Sequence, residues 1–240
     1  MSTGRAQVTF GSVTAYAPWS LAGESLACLV STPAPLSPLP DGLLRLPGPS
    51  LVVAVCYSGS PVGPYLELAL GEPARLGARP GWCITTMVVD SAESRLDGRL
   101  NWGFPKELGT LTWKADGDRR ELRWAEQDLT VSGRCTRARL PFLVPVRSLQ
   151  RRADGPVVVP GRLRGRASIT GVEITAGCSG RLAGLGGVHP GIHVAGMRFL
   201  VRPARHPFGW ASSLRAPLRA PEPVMLMGRA GPTGDLLDVR

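Results

Sequence analysis

Apolar positions along this chain gather into short runs, each closed by proline or glycine, and a single stretch breaks that rhythm. Residues 8–16 and 25–31 carry the β-branched, interrupted pattern of strands. The connection that follows, "TPAPLSPLPDGLLRLPGPS", holds too many prolines for any long helix to survive. Residues 51–58, "LVVAVCYS", form a continuous apolar run, the pattern of a strand covered on both faces. "GPYLELAL" alternates more, and residues 82–89, "WCITTMVV", read as a further strand. Later on, "TLTWKAD", "RELRWAEQDLTVSG", "LPFLVPV", "RASITGVEITAG" and "GMRFLVRPA" resume the β pattern.

The exception is residues 90–101. Asp90, followed three residues later by Glu93, has the form of a capping box. Leu96 and Leu100 lie four apart and so share a helix face. The spacing predicts one short helix that ends before Pro105, because proline disfavours helical geometry at Phe104.

The 30 glycines and 23 prolines favour strands and turns over helices, and 240 residues suffice for a real core. No internal repeat or sharp boundary appears. Residues 1–206 are read as one domain and residues 207–240 as a basic tail rich in proline and glycine. The net charge of +10 raises the question of nucleic acid. The arginines are scattered, however, and their densest clusters match no helix-turn-helix, zinc-finger or RNA-recognition pattern, so no nucleic-acid partner is expected. No apolar run approaches the roughly 18 residues of a membrane span. The opening "MSTGRAQVTF" lacks the order of a secretion signal, and a cytoplasmic protein is the expectation.

Metal and cofactor chemistry find little support. The five cysteines are odd in number and form no CxxC pair, against a disulfide framework or a structural zinc site, and most are read as buried apolar residues. His189 and His193 have the spacing of a helical metal pair, but Pro190 and Gly191 lie between them. "GLGG" lacks the Lys-Ser/Thr of a phosphate loop. No metal and no cofactor are expected.

What stands out is a lysine. The chain has 26 arginines and two lysines, and one of the two, Lys106, sits in "RLNWGFPKELG". Arginine stays protonated in any protein, whereas a buried lysine can shed its proton and act as a nucleophile. The ordinary lysine pKa is about 10.4. Reactivity near neutral pH therefore calls for a dry surround or a nearby cation. Trp102, Phe104, Pro105 and Leu108 supply apolar neighbours. The plainer alternative is a surface lysine lying along those aromatic rings.

The longer segment "GRLNWGFPKELG" resembles the active-site segment of the acetoacetate decarboxylase family. In that family a Gly-Arg pair is followed, after a spacer, by aromatic-Pro-Lys, and the lysine forms a Schiff base with the substrate ketone. "MVVDSAESRLDGR" before it, "GPYLELAL", and the closing "ASITGVEITAG" and "GMRFLVRPA" extend the likeness. The resemblance implies a β-rich (α+β) fold of mostly antiparallel sheets closing into a barrel-like form, with one or two short helices. It implies Lys106 as the Schiff-base lysine and Glu67 as a catalytic pocket acid. For substrate binding it points to Arg99, which could equally serve as a cation at the helix C-terminus, and to Trp102 as a pocket wall. Glu93 stands one residue beyond the place of a second family acid, which Ala92 occupies, and the cap is its alternative role. Two positions depart from the family: Glu107 stands where it has a second lysine, and Glu24 where it has an N-terminal arginine.

The implied activity is cofactor-free decarboxylation of a β-keto acid by a homo-oligomer. An aldolase or dehydratase reaction on a small keto acid or ketone, or a non-catalytic binding protein of the same fold, are the alternatives.

Overall fold

Strands dominate the molecule, separated by turns at the glycines and prolines that punctuate the sequence. The computed structural model describes residues 14–32, 34–177 and 182–207. In chain order these form β1 (Trp19–Val30), β2 (Leu44–Arg45), β3 (Ser50–Gly59), β4 (Tyr65–Leu76) and β5 (Arg79–Val89), then α1 (Ala92–Trp102). After the helix come β6 (Lys106–Leu108), β7 (Leu111–Asp116), β8 (Arg119–Trp124), β9 (Leu129–Arg134), β10 (Leu140–Arg152), β11 (Gly155–Thr175) and β12 (Gly187–Val201).

The strands β10–β5–β4–β3–β1–β12–β11 are neighbours in that order, and β11 pairs with β10, so the path returns on itself as a ring. Its pairings are antiparallel except where β5 meets β10, in parallel register at Trp82 and Ser148. At that closure a side chain on Gly81 would stand 2.7 Å from the Arg147 carbonyl, so the strands meet only because residue 81 has none. From β11 the sheet continues through β9 and β8 to β7.

Two cores result. Alternation along each ring strand sends one set of side chains inward and the other outward. Val53, Val55 and Tyr57 of β3 face the interior with Trp19, Met87 and Val89. Val52 and Ala54 face out, and pack with Leu26, Leu68 and Val88 against Leu122, Leu129 and Val131 of β8 and β9. Residues 51–57 of the apolar run are thus covered on both faces, and Ser58 is exposed.

Several boundaries differ from the sequence pattern. Residues 25–30 of the expected 25–31 strand fall in the second half of a longer β1, while residues 14–16 of the expected 8–16 strand are not strand and residues 8–13 lie outside the described residues. "RELRWAEQDLTVSG" is broken into β8 and β9 by a 3-10 turn at Ala125–Gln127. β11 and β12 begin well before their expected segments because long antiparallel pairing to β10 and β1 carries the pattern through their prolines and glycines. The expected tail lies outside the described residues from residue 208 on.

The helix forms as predicted, with two corrections. Its cap is Ser91, whose Oγ accepts the Ser94 N–H at 3.0 Å. Asp90 instead accepts the Leu66 N–H at 2.7 Å and ties the end of β5 to β4. The Leu96–Leu100 face points to solvent, at 52% and 53% exposure, while Ser94, Asp97, Gly98 and Trp102 are buried. The reason is what α1 covers, since its inner face meets a lysine and polar backbone. Asp97 and Asn101 accept the Ala15 and Ala17 N–H groups at 2.8 and 3.0 Å. Gly103, with φ 72° in the left-handed region, ends the helix and donates its N–H to the Arg99 carbonyl.

Candidate active site

Inside the ring lies a cavity of about 210 Å³, walled by residues such as Trp19, Val55, Ile84, Met87, Trp102 and Phe104. Its ionisable side chains are Tyr57, Tyr65, Glu67 and Lys106.

Local structure explains how the lysine arrives there. Pro105 fixes the backbone angle just before it, and β6 then lies parallel to β5 with Lys106 opposite Met87. Alternation turns Lys106 inward, to 3% exposure, and Glu107 outward to solvent. The acid standing at the place of the family's second lysine therefore does not face the cavity. The lysine stem runs across α1 at Gly98, where a Cβ would stand 2.7 Å from both Lys106 Cδ and Cε.

Lys106 Nζ donates to Glu67 Oε2 and to Ser94 Oγ, each at 2.8 Å, with Tyr65 Oη at 3.5 Å. It also lies 5.1 Å from the centroid of the Tyr65 ring and 5.9 Å from that of a Trp19 ring, within cation–π range. Glu67 arrives by the alternation of β4, on the inner face with Tyr65 and Ala69 while Leu66 and Leu68 pack outward. Tyr57 Oη donates to Glu67 Oε1 at 3.3 Å, and Tyr65 Oη is 3.5 Å from Oε2. Burial, followed by the Glu67 charge, pushes both phenols well above their ordinary range, so they remain proton donors. The pair is buried on both sides, and removing one partner of such a pair costs about 3–5 kcal/mol.

The other predicted site residues separate. Trp102 lines the cavity, its ring edge-on to Trp19 at 5.1 Å and its indole N–H donating to the Arg202 carbonyl at 2.8 Å. Glu93 is exposed and accepts the Ser91 hydroxyl at 3.1 Å, outside the cavity, because helical spacing puts it on the solvent side of α1. Arg99 is exposed on the same helix and lines a different depression. Glu24 shares the outward face of β1 with Leu26 and Cys28, where Arg120 Nε bonds both its oxygens at 2.9 and 3.1 Å and His193 Nε2 lies 3.0 Å away. Burial alone would raise its pKa, but hydrogen bonds from His193 and Arg120 hold it at about 2. His193 is thus tied to Glu24, and His189 Nε2 meets the Leu185 carbonyl at 2.8 Å. Among the described residues no three metal-ligating side chains gather. Cys28, Cys56, Cys83 and Cys135 are free thiols, with burial raising Cys28 and Cys83 to about 12, while Cys178 lies outside the described residues.

Sequence reasoning did not find Ser94, Tyr57, Tyr65 or Trp19. Tyr65 was within reach, two residues before Glu67 on an alternating strand. Ser94 sits in the middle of a polar helix and gives no local signal.

The acetoacetate decarboxylase (ADC) family model matches residues 3–157, more than half of the 240 residues, and the chain belongs to that family. Among solved structures, acetoacetate decarboxylase from Legionella pneumophila is similar at 15% identity and TM-score 0.55, over 85% of this chain and 96% of that one. The enduracididine biosynthesis enzyme MppR, complexed with the condensation product of pyruvate and imidazole 4-carboxaldehyde, is similar at 15% identity and TM-score 0.63, over 85% and 97%. An acetoacetate decarboxylase-like enzyme from Sphingomonas wittichii RW1 is similar at 17% identity and TM-score 0.55, over 84% and 98%. At such identities the likeness establishes the shared fold. Comparison with curated protein sequences finds no match. Among the described residues no helix is long and apolar enough to cross a membrane.

Proposed function

We propose that this chain is a cofactor-free enzyme in which Lys106 forms a Schiff base with a small keto acid and decarboxylates it. The observation that carries this reading is the 2.8 Å contact between Lys106 Nζ and Glu67 Oε2 inside an apolar cavity.

That contact is a path for a proton. Transfer from the Lys106 ammonium to Glu67 leaves a neutral amine beside a carboxylic acid. The amine adds to the ketone carbonyl of a β-keto acid. The carbinolamine then loses hydroxide, which takes the proton from Glu67 and departs as water, leaving an iminium. The electron pair of the bond between Cα and the carboxylate flows into the iminium, CO2 leaves, and a neutral enamine remains. One proton from solvent, relayed through Glu67, lands on Cα. Hydrolysis of the product iminium frees the ketone and restores the Lys106–Glu67 pair. The apolar walls favour the charge-dispersing loss of CO2 over a retained carboxylate. Among the described residues lining the cavity there is no arginine to hold that carboxylate in place.

An aldol-type reaction is the second reading, favoured by the Tyr57 and Tyr65 hydroxyls beside Glu67. Those protonated phenols are hydrogen-bond donors of the kind that an alkoxide formed by enamine addition to an aldehyde needs.

Borohydride trapping tests both. The protein is incubated separately with acetoacetate and pyruvate, reduced, and mapped by peptide mass spectrometry. The expected result is an adduct on Lys106 and not on Lys114, absent in Lys106→Ala, with CO2 release from acetoacetate. Labelling by pyruvate without CO2 release from acetoacetate supports the aldol reading. No adduct with either acid, or with a wider ketone panel, overturns both and leaves a binding protein of this fold.

A further inference from the structure

Next to the lysine cavity lies a second, wider depression of about 760 Å³, and Ile84 and Phe104 line both. Its chemistry is the reverse of its neighbour's. Three arginines, Arg99, Arg151 and Arg152, stand around it with one carboxylate, Asp154. Asp154 is already engaged, with Arg152 Nε at 3.3 Å and His206 Nε2 at 3.1 Å. Arg152 also donates to the Asn101 carbonyl at 3.4 Å, and Arg151 gives one nitrogen to the Asp41 carbonyl at 3.2 Å. A guanidinium carries five N–H donors, so capacity remains.

The same depression is lined by Gln150 and Thr85. Gln150 is 1% exposed, and its Nε2 has no hydrogen-bond partner. Thr85 Oγ1 is buried and equally unpartnered. Folded proteins satisfy nearly all buried polar groups, and exceptions call for an explanation. Two orphaned groups beside arginines, in one concavity, have a common explanation in a ligand that accepts hydrogen bonds and carries negative charge.

We infer that this depression binds a small oxyanion, a carboxylate or phosphate group. Arg99 and Arg151 supply the charge, and Gln150 Nε2 and Thr85 Oγ1 donate to it. Lys106 and Glu67 do not line it, so the site stands apart from the Schiff-base reading and does not depend on it. It also gives Arg99 a role as an anion anchor outside the lysine cavity.

Isothermal titration calorimetry at constant ionic strength tests this with two probes, inorganic phosphate and citrate. Saturable one-to-one binding of at least one probe is expected, and which one binds separates a phosphate site from a carboxylate site. Arg99→Ala with Arg151→Ala should weaken it at least tenfold, and Gln150→Leu should weaken it severalfold, with circular dichroism confirming that each variant folds. Arg162→Ala with Arg164→Ala removes the same charge from the exposed side of β11 and should leave affinity unchanged. So should Lys106→Ala. The inference is overturned by the absence of saturable binding, by equal weakening from the β11 pair (bulk charge attraction), or by loss in Lys106→Ala (binding in the other cavity).

Discussion

Around Lys106 Nζ, each hydrogen-bonding neighbour can exchange or hold a proton: a carboxylate and a serine hydroxyl at 2.8 Å, and a phenol at 3.5 Å. Glu67→Gln keeps the shape and removes the base, and the rate of trapping should fall by about 10²–10⁴-fold, the usual contribution of general acid–base help. The same change leaves a buried ammonium without its counter-charge, so urea unfolding should show a loss of about 3–5 kcal/mol. Retention of full trapping by this variant would remove Glu67 from the mechanism. Glu24 makes a separate, pH-dependent contribution to stability. Its folded pKa of about 2 lies below the ordinary 4.5. Its stabilisation is therefore complete above about pH 4.5 and is lost as pH falls towards 2. Thermal melts across that window should show Glu24→Gln less sensitive to acid than the parent chain, since the variant has no carboxylate to protonate.

For the helix, the informative position is Gly98. Alanine there improves helix propensity by about 1 kcal/mol, yet its Cβ would stand 2.7 Å from the Lys106 stem. A flexible lysine yields before a helix does. Gly98→Ala should thus lower the melting temperature, because a displaced lysine loses its buried partner Glu67 at a cost above the helix gain, while trapping at Lys106 falls at least tenfold. An unchanged trapping rate would show that the amine reaches the cavity by another route. The same packing explains why α1 carries a polar inner face: small and hydrogen-bonding residues are what leave room for the lysine and hold the segment before β1. Leu96 and Leu100 suggested the opposite face because spacing identifies which residues share a side of a helix, not which side meets the protein.

In the whole molecule, the ring carries the candidate chemistry on its inside and a separate apolar core on its outside. Leu122 on β8 is fully buried in that outer core. Leu122→Ala should cost about 2–5 kcal/mol in denaturant unfolding. Trapping at Lys106, measured below the unfolding transition, should be unaltered. A parallel loss of trapping would mean that the outer core sets the shape of the inner cavity.

By itself the sequence determined what local spacing governs. Strand runs, the one helix and its end before Pro105 follow from proline, glycine and hydrophobic period, which act within a few residues. Lys106 was legible for the same kind of reason, as one of two lysines in an arginine-rich chain, inside a motif of contiguous residues. Glu67 was legible only through the likeness to a family, since an acid on an alternating strand has two faces to choose from. Tertiary structure alone made that choice. The register of β4 and β6 turned Glu67 and Lys106 inward and Glu107 outward, and helical phase put Ser94 against the amine while leaving Glu93 and Arg99 outside. Closure of the ring then brought together Trp19, Tyr57, Tyr65 and Lys106 from four separate elements. Contacts between residues so far apart in the chain depend on pairing and closure, and no short stretch of sequence encodes them.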